Sequence, residues 1–412
     1  RKMDQENRVC YEEDTQSIWG RTIDSGIVSP FSSRSKSMSS ISGSSSDHIS
    51  ITTDSDSFYR TPGAFKRRCP PSKTERDLIM LLPDDCLLRV ANELSLHDLV
   101  NMMRCCRRFH GIGSASSSWK VIDFGDRSVP GDVIKRIIMR GTTVLRLCGT
   151  NIVDPIPDID EHFYTKLTHV DATRLSSTPQ SQSMLSQILI SSTILTHISL
   201  SGCYITPEMA THFSRIHSLS HLDLSMCDNL IPDHLSLILF RCGRTVMELN
   251  VSCSRIGREG GMIIATRCSS NLLRLDLSGS APYENPEDSI DDAVVAALVK
   301  NCPSLWEVHL SDSPNLTDKS FESLMRLRDL ESVSFSRCYG IDPHLYLRPN
   351  QLTNLCVYGL LSEEGIETVR NNLPSTRVND LDLAISHVAR PTPPPHITAL
   401  WGIKMKPFCQ IN

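Results

Sequence analysis

The sequence predicts an α/β fold, a solenoid in which a curved parallel sheet is backed by outer helices. A three-helix segment precedes it and a returning tail follows it. Three observations predict this. A leucine pattern recurs at near-constant intervals, apolar residues at helical spacing fill the gaps between copies, and a proline-rich stretch closes the series.

The recurring unit is Leu-x-x-Leu-x-Leu-Ser-x-Cys. It is plainest at Leu195, Ile198, Leu200, Ser201 and Cys203, and again at Leu219, Leu222, Leu224, Ser225 and Cys227. Looser copies begin at Val246, Leu272, Leu305, Leu330 and Leu352, and two degenerate ones precede them around Leu145 and Leu167. Successive starts from Leu195 differ by 24, 27, 26, 33, 25 and 22 residues, the period of leucine-rich repeats. Leu-x-Leu is a strand of period two, so both leucines face one side. The rest of each unit returns the chain by one strand width, as the apolar spacing of Met209 and Phe213 after Pro207 indicates. The 33-residue unit carries an extra loop, 281–288.

Stacking such strands predicts a concave face lined by the residues between the leucines. One column holds His169, His197, His221, Glu248, Arg274 and Glu307; the next holds Asp171, Ser199, Asp223, Asn250, Asp276, His309 and Ser334. This polar wall is expected to recognise protein. The three aligned histidines suit a plain polar strand face, and are also compatible with a metal or a pH switch.

Ahead of the repeats, residues 1–77 read as a disordered regulatory tail, because 13 serines in the 27 residues from Phe31 to Ser57 leave little to build a core. Order is expected from Leu78. Leu82-Pro83-Asp84-Asp85 starts a helix, with Leu87, Val90 and Leu94 on one face. Ser95 with Asp98 resembles a capping box. A second helix then carries Leu99, Met103 and Cys106, Gly111 and Gly113 break it, and Trp119 closes the segment. Such a segment is too small to bury a core securely alone, so its apolar surface implies a partner.

The totals exclude several classes. A net charge of −5 gives no support to a nucleic-acid binder. No apolar run reaches a membrane-spanning length, and no signal-peptide core follows Arg1. The fifteen cysteines recur inside apolar segments without a Cys-x-x-Cys pair. They therefore read as reduced, buried thiols of a nuclear or cytoplasmic protein, with no metal and no cofactor. No phosphate loop, Gly-x-Ser-x-Gly or paired carboxylate site points to an enzyme.

Residues 78–120 resemble an F-box in the spacing of Leu82, Pro83, Leu87, Leu88, Leu94, Leu99, Val100, Cys106, Phe109 and Trp119. The resemblance implies docking on a Skp-type adaptor and, through it, a cullin scaffold. The alternative is a plain three-helix cap on a binding scaffold. The final third, with Ser336-Arg337-Cys338-Tyr339, Val357-Tyr358-Gly359, Ala389-Arg390-Pro391-Thr392 and Trp401-Gly402-Ile403-Lys404, is similar to the S-phase kinase-associated F-box protein family, as a divergent, invertebrate-like member.

That similarity implies a non-catalytic substrate receptor, with an F-box at 78–120, repeats at 121–383 and a tail at 384–412 lying on the concave face. It implies a phosphorylated cyclin-dependent kinase inhibitor as substrate and a Cks-type accessory protein as partner. Asp312 and Arg337 match the family's partner-binding positions, with Tyr339 beside them and Trp401 in the tail. Cys253 stands where the family has tryptophan, and Ile385 where its tail has phenylalanine. The prolines of the tail forbid a regular helix, so it is expected to cross the concave face in extended form near Asp312 and Arg337.

Overall fold

The computed structural model describes residues 78–155, 164–282, 285, 287–348, 350–380, 385–391 and 399–405. The serine-rich segment 1–77, Pro393 to Pro395 and Phe408 lie outside these residues.

A 3-10 turn, Leu78–Leu81, leads into three helices: α1 (Asp84–Glu93), α2 (Leu96–Cys105) and α3 (Arg107–Ser114). The buried face of α1 is Leu87 and Ala91, one turn apart; Val90, expected there, is 48% exposed. Ser95 caps α2 by accepting the Asp98 N–H at 3.1 Å. Its hydroxyl in turn donates to the Asp98 carboxylate at 2.7 Å, so the expected box closes side chain to side chain. The break between α2 and α3 falls at Cys106, whose extended backbone ends one helix while its sulfur accepts the Phe109 N–H. Gly111 and Gly113 lie inside α3 instead. Gly113 is needed there because a Cβ would stand 2.3 Å from Met103 Cγ.

Among the described residues fifteen strands follow: β1 (Val121–Asp123), β2 (Ser128–Val129), β3 (Val144–Arg146), β4 (Asn151–Ile152), β5 (His169–Asp171), β6 (His197–Ser199), β7 (His221–Asp223), β8 (Glu248–Asn250), β9 (Arg274–Asp276), β10 (Glu307–His309), β11 (Ser332–Ser334), β12 (Asn354–Cys356), β13 (Arg377–Val378), β14 (Ala399–Leu400) and β15 (Ile403–Lys404). Eleven of them make one parallel sheet, ordered β1-β3-β5 and then consecutively to β13. β2 pairs with β4 at one side, and β14 with β15 as a hairpin. Helices return the chain along the outside: α4 (Gly131–Met139), α5 (Pro179–Ser191), α6 (Pro207–His212), α7 (Pro232–Cys242), α8 (Gly257–Arg267), α9 (Asp292–Asn301), α10 (Asp318–Leu324) and α11 (Glu363–Asn372). Two strands of the eleven-stranded sheet went unseen in the sequence, as did both small two-stranded pairs. β1 lacks the leucine pair, and β13 is only two residues long.

Strand centres such as Val170, Ile198, Leu222 and Leu249 stand opposite one another and are fully buried. Each such side chain contributes about 1.5–3 kcal/mol. One apolar cluster runs without interruption from Leu87 through Trp119 and Ile122 to Val378. The three helices therefore share the solenoid's core, which supplies what so short a segment cannot bury alone.

The recurring cysteine has a second task. Cys203, Cys227 and Cys338 direct their thiols to the carbonyls of Ala172, Leu200 and Leu310 in the preceding repeat, at 3.0, 3.2 and 3.2 Å. Thr150 and Ser254 occupy the same place and donate hydroxyls to Phe124 and Leu224. At these five positions a small donor thus satisfies a buried carbonyl, whereas Ser280, in the same place, makes no such bond and Leu175 has no side-chain donor.

Candidate functional site: the concave face and its strap

The first column behaves as a cross-strand ladder. His169, His197 and His221 are in register, and their rings stack with centroids 4.2 and 4.0 Å apart. Charges continue the line. His221 Nε2 lies 3.4 Å from Glu248. Arg274 then bridges Glu248 at 3.1 Å and Glu307 at 2.6 Å, and Glu307 meets His309 at 2.8 Å. Burial pushes the Glu307 carboxyl up, but the hydrogen bonds from His309 and Arg274 outweigh it and hold the group down to about 2. Glu248 is likewise lowered, its burial overcome by His221, Arg274 and a tail N–H.

The second column is not the displayed wall that the sequence suggested. Asp171, Ser199, Asp223, Asn250, Asp276, His309 and Ser334 are all buried. The physical reason is local: side chains of Asp171, Asp223, Asn250 and Asp276 accept the N–H two residues on, at Thr173, Ser225, Ser252 and Ser278, and so shape the turn that ends each strand. Burial raises the Asp171 and Asp223 carboxyls, against hydrogen bonds from Thr173 and Ser225 and the charges of Arg146 and Arg390.

That turn delivers the next residue into the left-handed region in ten successive repeats. Glycine serves at Gly149, Gly202, Gly279 and Gly359, but Asp126, Arg174, Met226, Cys253, Asp312 and Arg337 adopt the same conformation. A side chain there costs roughly 1–3 kcal/mol, a cost the surrounding repeats sustain. Asp312 and Arg337 are neighbours in this column and form a two-pronged ion pair. Arg337 Nη2 meets Asp312 Oδ2 at 2.6 Å, and Nε bonds Oδ1. Both remain partly exposed. Cys253 lies nearby: its thiol is pushed up to about 11 by burial and by Asp276 and Asp312, against Arg390 and Arg337. Tyr339 is 63% exposed on the rim.

The tail lies on this face. Asn250 Nδ2 donates to the Val388 carbonyl at 3.1 Å, and the Ala389 N–H donates to Glu248 at 2.8 Å. Val388 and Ala389 are buried, whereas Ile385 is half-buried. Further on, Trp401 donates from Nε1 to the Ala389 carbonyl at 3.1 Å, and its own N–H bonds Pro391. Its ring lies 5.7 and 5.3 Å from those of His169 and His197. Leu400 and Met405 pack on Val144.

One expectation for the tail needs correction. It is not extended throughout, since β14 and β15 turn back through left-handed Trp401 and Gly402. Its hydrogen bonds and ring contacts with β5, β6 and β8 hold it on the face, and Arg390 acts on the Cys253 thiol together with Arg337. Sequence reasoning passed over Glu248 and Asn250 as tail anchors; no local pattern marks a contact between residues so far apart in the chain.

At the other end, Leu78, Ile79, Leu81 and Leu82 are exposed at 78%, 48%, 64% and 40%. Pro83 is also exposed, and Leu88, Leu94 and Val100 are half-buried. Leu87, Leu99 and Trp119, expected at an adaptor interface, are interior, the last with its indole N–H bonded to the Gly113 carbonyl. In this chain they support the surface from within. Among the described residues no cluster of three metal-ligating side chains occurs; the stacked histidines run parallel rather than converging.

A family model described as the SKP2 LRR domain matches residues 132–407. A second, described as F-box-like, matches residues 79–125. Among solved structures, the leucine-rich repeat-containing protein LegL7 from Legionella pneumophila is 15% identical, covering 62% of this chain and 89% of that one with a TM-score of 0.40. The Rad7 and Elc1 complex in yeast is 12% identical, covering 73% and 94% with a TM-score of 0.33.

Proposed function

Since the chain belongs to the Skp2-type family of F-box and leucine-rich-repeat proteins, we propose that it is the substrate-recognition subunit of a cullin-based ubiquitin ligase. Its substrates are phosphorylated cell-cycle proteins of the cyclin-dependent kinase inhibitor class, met in the nucleus and cytoplasm. The observation that carries this reading is the pairing of two surfaces on one core. An exposed apolar edge at Leu78, Ile79, Leu81 and Leu82 suits a Skp-type adaptor. The strapped concave face, with Asp312 and Arg337 beside it, suits a substrate and a Cks-type accessory protein.

The mechanism is proximity. The chain holds a lysine-bearing protein near a charged conjugating enzyme and raises its effective concentration, without bond chemistry of its own. Arg337 offers a planar fork that fits carboxylate or phosphate, and it would have to share that fork with Asp312 or give it up on binding. Cys253 and Ile385 replace aromatic anchors, so the accessory contact rests more heavily on the polar pair.

Co-purification with the adaptor, with the proteasome and cullin activity blocked, tests the reading. The parent chain should bring down adaptor, cullin and a phosphorylated inhibitor. Deleting residues 389–412, or Arg337→Glu, should leave the adaptor bound and greatly weaken inhibitor capture. Full capture by both variants would remove the concave face from the proposal, and loss of adaptor from the parent would remove the ligase.

A further inference from the structure

The histidine ladder does more than line the face. Thr168, Thr196 and Ser220 each donate a hydroxyl proton to a main-chain carbonyl of the preceding repeat, at Thr143, Thr168 and Thr196. Each hydroxyl oxygen also lies 2.8–2.9 Å from Nδ1 of the following histidine. With its proton already committed, the oxygen accepts, so Nδ1 of each imidazole carries the hydrogen. Any second proton must go to Nε2, on rings stacked about 4 Å apart. Trp401 covers two of these rings, and the tail N–H of Ala389 ends on Glu248, the carboxylate next in the ladder.

We propose that His169, His197 and His221, with Trp401 and Glu248, form a proton-sensitive clasp that positions the tail on the concave face and releases it on acidification. Its consequence for substrate capture rests on the function proposed above; the clasp itself does not.

The surrounding charges favour this behaviour. Glu248 is the carboxylate beside the stack, and it is already shared among His221, Arg274 and the Ala389 N–H. Asp171 is engaged by Arg146 and the Thr173 N–H, and Asp223 by Ser199 and Ser225. From the tail comes Arg390, a cation whose attraction is to Asp223. New positive charge on His169 and His197 therefore falls on closely stacked rings, and Glu248, shared as it is, offsets it at His197 only in part. Burial first, and then His221 and His169, push the His197 imidazole down to about 3; His169 is lowered by burial and by His221.

The cover that Trp401 adds to the His169 and His197 rings lowers them further while the tail is docked, so docking is complete above the ordinary value of 6.5. It yields progressively as pH falls from there toward about 3. Each histidine so linked changes the docking equilibrium by about tenfold per pH unit inside that window.

Hydrogen exchange on the full chain, corrected for the intrinsic effect of pH, reads the clasp at the amides of Ala389 and Trp401. Between pH 7.5 and 5.5 their protection should fall by about tenfold or more, while the core amides of Leu222 and Leu249 stay protected. His197→Gln and His169→Gln, read singly, should each flatten the response, and the double variant should abolish it. Equal protection at both pH values overturns the clasp. So does parallel loss in the core, or an unchanged response in the double variant. Inhibitor capture, measured separately at pH 7.5, judges the proposed function alone.

Discussion

Arg108 donates from Nη2 to the main-chain carbonyl of Leu82 at 2.5 Å. Its Nε also bonds Asp84 at 2.9 Å, so one guanidinium from α3 fixes the chain where it enters α1. The exposed apolar edge on either side of that carbonyl is thereby presented in one conformation, which lowers the ordering cost of docking.

Changing Leu82 and Pro83 together to alanine should abolish adaptor binding, because both side chains are exposed and neither supports the core. Thermal melting of the repeats should stay within about 0.5 kcal/mol of the parent. By contrast, Leu87→Ala should weaken binding only as it melts the segment. Adaptor binding at full strength by the Leu82/Pro83 variant, measured by calorimetry, would assign residues 78–120 a capping role.

Much of this architecture could be read in the residues, and the reasons differ by element. The strand register was legible because Leu-x-Leu has a period that no helix shares, and Leu222, Leu249 and Leu275 face each other as expected. Helix starts were legible at Pro83, at the Ser95 cap and at Pro207. Burial of the second polar column was not legible, since Asp223 and Asn250 have the composition of a surface. Their place inside depends on a turn two residues on and on a strap from the far end of the chain. The left-handed column carries its usual signal only at Gly149, Gly202, Gly279 and Gly359, and its six other members hide it.

The register itself can be tested by one core and one ladder residue. Leu222→Ala should cost about 2–5 kcal/mol. His221→Ala, which sequence alone places below roughly 0.5 kcal/mol, should cost about 1 kcal/mol, because the ring stacks on His197 and bonds Ser220. Urea unfolding of the two variants checks the ranking. Equal losses would mean that the strand faces are exchanged.

Glycine in the left-handed column makes a sharper case. Gly279 has φ +61, and a Cβ there would stand 3.4 Å from Cys253 Sγ, an ordinary contact. Gly279→Ala should therefore cost about 1–2 kcal/mol from backbone conformation alone. Met226→Gly, at φ 57 in an equivalent position, should be neutral or stabilising despite the lost side chain. Opposite signs in chemical denaturation would confirm that conformation governs this column; a destabilised Met226→Gly as large as Gly279→Ala would refute it.

The Glu307–His309 pair sets a two-sided pH dependence, of which only the alkaline limb is opposite in sense to the clasp. Glu307 is lowered to about 2, so the stability it contributes is present above its ordinary value of 4.5 and is lost as pH falls toward about 2. Burial depresses the His309 imidazole, but the Glu307 hydrogen bond and the charges of Asp276 and Glu307 outweigh it and raise the group. Its contribution is therefore whole below 6.5 and lost as pH rises through the raised value. Local stability around β10 should be greatest between about pH 4.5 and 6.5, and protection of the Val308 amide is its measure. Glu307→Gln removes the partner that holds the proton on His309, so the variant should lose the fall above pH 6.5 and the fall below pH 4.5 together. A variant that kept either limb would assign that limb to another group, with Asp276 the nearest candidate for the alkaline one.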